Sequence, residues 1–296
     1  MRTIVFTDLD GTLLAHDSYS WEGARPALQE LRRRRIPLVF CSSKTRAEVR
    51  SLRRAIGNSD PFIVENGGVV VIPPIHSPRL TSTSRKRERV LALGRPYAEV
   101  VSALQIVARQ AGVDVRGFQQ MDDEEIAERT GLSLKEAHRA RQRETGEPFL
   151  LMNARPKEIR ALSRLAHEIG YTIQRGGRFW HISANCDKGL ALSTVISFYR
   201  AAWRTPLRTV ALGNSGNDLP MLQVVDRPIL MPLPDGRFDR EITMVLPRVI
   251  CFPEQGPEGW AKAVLEAIAS NVRSTATTKM KRAQRRGAER ALRYGT

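Results

Sequence analysis

Cysteine is scarce in this chain. Cys41, Cys186 and Cys251 are scattered and odd in number among 296 residues, which argues against a disulfide framework or a zinc site. The expectation is reduced thiols in a cytoplasm. No apolar run approaches the roughly 20 residues of a membrane-spanning helix. Internal repeats and a dinucleotide-binding glycine fingerprint are also missing. The N-terminus does not read as a signal peptide, because its apolar residues run straight into two acids. Acid itself is in short supply: 31 Asp and Glu face 47 Lys and Arg, a formal net charge of +16. Such a balance favours anionic partners, whether nucleic acid, an acidic membrane surface or an anionic substrate. Part of it is local, since from Arg273 onward eight basic residues accompany a single acid, Glu289. The rest is read as solvated surface charge, with the basic tail leaving a nucleic-acid contact open.

What is present is enough for a full core. Hydrophobic residues make up 42% of a chain long enough for one large or two ordinary domains. The organising stretch is Phe6-Thr7-Asp8-Leu9-Asp10-Gly11-Thr12. Thr3-Ile4-Val5-Phe6 before it is apolar and β-branched, the pattern of a buried strand. Alternation along a strand points Asp8 and Asp10 the same way. Two carboxylates ending a buried strand repel each other and lose solvation, which a divalent cation between them relieves. Gly11 then permits a sharp turn. The alternative is an acidic surface turn.

Further along, residues 22–35 read as a helix, Ile36–Cys41 as a second buried strand, and Thr45-Arg46-Ala47-Glu48 as a capping box opening the next helix. Pro61–Val64 and Val69–Ile72 read as a strand and its hairpin partner. Continuous apolar strands alternating with helices predict a parallel sheet covered on both faces. Composition breaks at Pro73-Pro74. Helices near 96–111, 122–130, 134–143 and 156–169 then mix with short strands near 113–118, 148–153, 171–175 and 178–183, as in a small α+β insertion. Core-type patterning resumes at Lys188, with a helix over 188–203, a strand over 209–212, a glycine-rich turn through Asp218 and a helix over 219–225. Strands follow at 229–231 and 249–252, and a last helix runs from near Pro257 to near Ser270. The expected division is a core from 1–75 and 185–272, an inserted unit at 76–184, and a flexible basic tail at 273–296.

Four segments fall at strand ends or helix starts, where open α/β sheets place their ligands. They are Asp8 with Asp10, Ser42 with Ser43, Lys188 in Asp187-Lys188-Gly189, and Asn214 with Asp218. A hydroxyl before a helix N-terminus suits phosphate, though it also suits an ordinary cap. Lys188 can bring positive charge to a phosphate and to Asp8; taken alone it would be a surface lysine. Asn217 or Asp218 can equally be a helix cap.

In this order the four segments resemble motifs I to IV of the haloacid dehalogenase superfamily, and the long insertion resembles its C2-type cap. The strings Phe40–Thr45 (FCSSKT), Phe62–Gly68 (FIVENGG), Arg143–Phe149 (RETGEPF), Gly176–His181 (GGRFWH), Gly216–Leu222 (GNDLPML) and Gly256–Trp260 (GPEGW) are similar to those of the mannosyl-3-phosphoglycerate phosphatase family. The resemblance implies a Rossmann-like core with an inserted α+β cap and a Mg²⁺-dependent phosphatase that yields the compatible solute mannosylglycerate. By position, Asp8 would be the nucleophile and Asp10 the acid and base, with Ser42 and Lys188 stabilising charge. Ser43, Lys44, Arg178 and His181 would bind substrate, although His181 fits a packing role equally well. Asp8, Asp10, Asn214 and Asp218 would surround the metal. The family has Asp where this chain has Asn214, a neutral donor that weakens a Mg²⁺ site. The other readings carried forward are a broader sugar phosphatase, of glucosyl-3-phosphoglycerate or sucrose-phosphate type, and a binding protein without turnover.

Overall fold

The computed structural model describes residues 1–74, 88–176, 178–184 and 186–269. The expected basic tail at 273–296 lies outside them. Twelve strands fall in the described residues: β1 (Arg2–Thr7), β2 (Leu38–Cys41), β3 (Phe62–Val64), β4 (Val69–Ile72), β5 (Arg89–Ala92), β6 (Asp114–Gly117), β7 (Gly146–Met152), β8 (Tyr171–Arg175), β9 (Trp180–Ala184), β10 (Leu207–Gly213), β11 (Arg227–Leu230) and β12 (Ile250–Cys251). Eight of them form one sheet, in the order β12-β11-β10-β1-β2-β3-β4-β5, and the other four form a second, β6-β7-β9-β8.

In the large sheet β12 through β3 are parallel, while β4 and β5 add an antiparallel margin. β1 is buried on both faces from Thr3 to Thr7, which is why its sequence reads as a continuous rather than alternating apolar run. One face packs on α1 (Arg25–Arg33), α2 (Arg46–Ile56) and the helix over 256–269, through Leu28, Leu31, Val49, Trp260 and Val264. The helices α3 (Tyr97–Ala111), α4 (Asp123–Thr130), α5 (Leu134–Ala140) and α6 (Pro156–Glu168) belong to the insertion. On the other face of the large sheet lie α7 (Lys188–Trp203), α8 (Leu219–Gln223) and α9 (Arg240–Val245), through Leu192, Val195, Leu222 and Ile242. Trp260 is fully buried, and its indole donates to Thr7 Oγ1 at 2.8 Å. That one bond satisfies the polar edge of a ring whose burial contributes about 2–3 kcal/mol.

The four-stranded antiparallel sheet packs on α3 and α6 around Phe149, Leu162 and Ile182. α4 and α5 enclose a smaller cluster with Phe118 and Phe179, whose rings meet edge to face at 4.9 Å. One boundary differs from the sequence reading. Arg89–Ala92 falls within the span assigned to the insertion, yet β5 pairs with β4 in the large sheet. Its pattern of exposure resembles an edge strand, so no buried apolar run announced it.

Candidate active site

Strand register brings the first and last of the four segments together. Thr7 lies opposite Leu212 in the parallel pair β1–β10, and the Asp8 amide continues the ladder onto the Leu212 carbonyl at 2.9 Å. Asp8 and Asn214 therefore leave adjacent strands at the same level. Gly11, at φ +73°, follows in a turn where a Cβ would meet Asn214 Nδ2 at 2.6 Å, so the close approach of the two loops requires glycine.

Lys188 opens α7, whose N-cap Asp187 accepts from the Leu190 amide at 2.8 Å. Its ammonium is fully buried and donates to Asp8 Oδ1 at 2.7 Å and Asp218 Oδ1 at 2.6 Å. Burial works against that charge, but Asp218 and Asp8 outweigh it and raise the Lys188 pKa. Asp8 is also 94% shielded, at 6% exposure. Burial first, then the nearby Asp218, pushes its carboxyl up to about 7 despite the lysine. An acid under that pressure gains from any added positive charge.

The Asp218 carboxylate, read from the sequence as a metal ligand, has its oxygens occupied. Oδ1 takes Lys188, and Oδ2 takes the amides of Asn214 at 2.8 Å and Ser215 at 3.2 Å. At 0% exposure it stands behind the cavity and anchors Lys188. Ser42 is likewise buried, at 1%, with its Oγ accepting from the Lys44 amide at 3.2 Å. It is Ser43, one residue on, that faces the cavity.

That cavity, of ≈ 210 Å³, lies where the two sheets' units meet. Asp8, Asp10, Ser43, Lys44, Asn214, Arg178 and His181 all line it, so the structure gathers most of the residues singled out by sequence. Lys44 follows β2 and reaches Asp10 Oδ1 at 3.0 Å and Glu48 Oε1 at 3.8 Å. Burial lowers its pKa, but these two acids together raise it above the ordinary lysine value. Its backbone neighbour Thr45 forms the expected capping box with Glu48. His181 on β9 is pushed down to about 3 by burial and by the cations Arg143 and Lys188, and so is neutral at physiological pH. Arg178 donates to Tyr19 Oη at 2.9 Å and to the Thr130 carbonyl.

Tyr19, His16 and Arg143 are among the lining residues to which the sequence reading gives no role. Arg143 sits within the quoted string Arg143–Phe149, but its role shows only in space. Its guanidinium, 3% exposed, donates to the Gly146 carbonyl at 2.6 Å and the Ser43 carbonyl at 3.0 Å, tying the inserted unit to the core. Nothing in the local sequence around Tyr19 marks it. The wall toward the insertion is apolar, built from Phe118, Leu132, Ala140, Pro148 and Phe179.

The donors suit a hard cation. Asp8 and the Asp10 carbonyl offer oxygens beside the Asn214 amide, whose Nδ2 lies 3.2 Å from that carbonyl. Among the described residues no three His, Cys, Asp or Glu side chains converge as a preformed metal cage. An all-oxygen, sparsely ligated site of this kind fits Mg²⁺, which retains much of its water.

Comparison with known proteins gives the family of the chain. Residues 5–232 match the family described as haloacid dehalogenase-like hydrolase. A Methanococcoides burtonii protein named glucosyl-3-phosphoglycerate/mannosyl-3-phosphoglycerate phosphatase is 40% identical over 276 residues, 92% of this chain and 99% of that protein. A Persephonella marina protein of the same name is 35% identical over 263 residues, 88% of this chain and 95% of that one. A Thermoplasma acidophilum crystal structure superposes with a TM-score of 0.62 at 16% identity, covering 90% of this chain and 98% of that one. At that identity it speaks to the fold alone.

Proposed function

The chain belongs to the haloacid dehalogenase-like hydrolases and is a phosphoric monoester hydrolase, and from that premise we propose that it dephosphorylates glucosyl- or mannosyl-3-phosphoglycerate. The observation that carries the reading is the buried Asp8–Lys188–Asp218 chain at one end of a cavity that also holds Lys44, Arg143 and Arg178. Such a substrate has two anionic groups, a phosphate and a carboxylate, and a neutral sugar. The cavity supplies cations for the first two and an apolar wall with neutral His181 for the third.

Asp8 attacks phosphorus in line, the ester oxygen leaves, and phosphorus becomes bonded to the Asp8 carboxylate oxygen. Asp10 gives its proton to the departing alkoxide, then takes one from the water that hydrolyses the acyl phosphate. Lys188, fixed by Asp218, balances negative charge at Asp8 throughout, and donors fixed before the reaction need no reorganisation during it. Ser42 supports the loop that carries Ser43 and Lys44 toward the substrate. Mg²⁺ would be held by Asp8, the Asp10 carbonyl and Asn214, while Asp218, its oxygens taken by Lys188 and two amides, would act only by fixing Lys188 and the Asn214 loop; when bound the metal would supply positive charge against the carboxylate and the phosphate.

The test is phosphate release from glucosyl- and mannosyl-3-phosphoglycerate, sucrose phosphate and simple hexose phosphates, with Mg²⁺ and with chelator. The expected result is Mg²⁺-dependent turnover with kcat/KM at least about tenfold higher on the two phosphoglycerates, the margin that about 1.4 kcal/mol of carboxylate recognition gives. Equal turnover of all the esters would leave a broad sugar phosphatase. No turnover of any would leave a binding protein.

A further inference from the structure

Tyr19 belongs to no motif, yet it stands between two cations that come from different parts of the fold. It lies in a tight turn after β1, closed by the Tyr19 amide on the Ala15 carbonyl at 3.0 Å and the Ala15 amide on the Ser20 carbonyl at 2.9 Å. Its φ is +54°, left-handed backbone that a bulky residue rarely adopts. The fold therefore holds this side chain where it is. Lys44 Nζ, from the core, lies 4.8 Å from the ring centroid. Arg178 Cζ, from the turn between β8 and β9, lies 5.8 Å from it, and Arg178 Nη1 donates to the phenol oxygen at 2.9 Å. All three side chains line the cavity.

Each cation has other attractions. Lys44 faces Asp10 at 3.0 Å and Glu48 at 3.8 Å, and Arg178 donates to the Thr130 carbonyl. A carboxylate partner cancels a cation's charge, whereas a ring face attracts the cation and leaves its charge intact. The ring thus draws both cations to one point without neutralising either. Lys44 is already balanced by its two acids, whereas Arg178 meets the phenol oxygen and a backbone carbonyl and has no carboxylate partner among the described residues, so its charge, separate from Lys188 at Asp8, suits an anion other than the phosphate under attack.

We propose that Tyr19 is the positioning residue of a carboxylate subsite: its hydroxyl and ring hold Arg178, with Lys44 beside the same ring, to read the carboxylate of a phosphomonoester that carries one a few bonds from the ester. The inference rests on the phosphatase reading above and adds to it the residue that sets its preference for acidic substrates. Because Arg178 comes from the insertion and Lys44 from the core, the same contact makes this preference depend on the two units being together.

The experiment compares kcat and KM on glucosyl-3-phosphoglycerate and on its carboxyl methyl ester, for the wild type, Tyr19→Leu and Tyr19→Phe, with melting temperature as a check on folding. In the wild type the acid is expected to exceed the ester in kcat/KM by about 10- to 100-fold. Tyr19→Leu is expected to shrink that ratio by about tenfold, through KM on the acid. Tyr19→Phe keeps the ring and loses one hydrogen bond, and is expected to recover most of the ratio. Equal losses on acid and ester in both variants, or a loss confined to kcat, overturn the positioning role. Wild-type protein that uses acid and ester equally well overturns the carboxylate subsite while leaving the phosphatase reading standing. Wild-type protein that uses neither overturns both.

Discussion

His181 shows how burial fixes a residue's chemistry. Its imidazole is held down at about 3 by burial and by the cations Arg143 and Lys188, against about 6.5 in an unfolded chain. Below pH 6.5 the unfolded chain takes up a proton that the folded one refuses. Stability is therefore full above about pH 6.5 and declines as pH falls toward 3. At pH 5 this one group costs about 2 kcal/mol. Urea unfolding of His181→Gln should show a shallower loss of stability between pH 7 and pH 5 than the wild type; parallel losses would mean that His181 is not held neutral. Asn214 is the other residue with a sharp expectation. It lies beside the Asp10 carbonyl at 3.2 Å and offers a metal no charge. Asn214→Asp should lower the Mg²⁺ concentration for half-maximal rate by about one to two orders of magnitude, the effect of about 1–3 kcal/mol. A Mg²⁺ titration of initial rate checks it, and an unchanged midpoint would remove Asn214 from the metal. Asp8, Lys188 and Asn214 were legible from sequence because strand ends announce themselves. Tyr19 and Arg143 were not, since Arg178 lies 159 residues from the first and Ser43 lies 100 residues from the second, and no local pattern marks them.

Among elements, the segment after β3 carries more than its length suggests. Glu65 is 1% exposed, and its carboxylate accepts from the amides of Glu144 at 2.9 Å, Thr145 at 2.8 Å and Gly146 at 2.9 Å. It fixes the start of β7, and with it the inserted sheet, against the core. Gly67 is tightly placed as well: at φ +101° a Cβ would lie 2.1 Å from the Asp187 carbonyl. Glu65→Ala would leave three buried donors without an acceptor, so chemical unfolding should show a loss of about 2–4 kcal/mol. A loss below 1 kcal/mol would mean that water or another side chain replaces the carboxylate. The major elements could be read in advance where burial or capping leaves a local pattern: β1 as a continuous apolar run, α7 and the capping box at Thr45 lie where their patterns put them. β5 could not, because three of its four residues are exposed and it extends an edge. α9 (Arg240–Val245) was also missed, being six residues long with one buried side chain, Ile242.

At the scale of the whole molecule, the cavity is a joint product. The core brings Asp8, Asp10 and Lys44, the insertion brings Arg143, Arg178, Phe179 and His181, and neither sheet alone encloses the space. The net charge of +16 favours the approach of an anion; the buried Lys188 and the lining Lys44, Arg143 and Arg178 give that attraction a destination. No helix among the described residues is long and apolar enough to cross a membrane. The central step proposed for this chain is the transfer of a phosphoryl group from a glycosyl phosphoglycerate to Asp8. The most direct measurement is phosphate release from glucosyl- and mannosyl-3-phosphoglycerate by the full chain and by Asp8→Asn, each shown to melt at a similar temperature. The wild type should turn over, and the variant should fall by at least about 10⁴-fold, because an amide cannot carry the phosphoryl group and phosphate-ester hydrolysis without it is many orders of magnitude slower. Turnover by Asp8→Asn within about tenfold of the wild type would contradict the account.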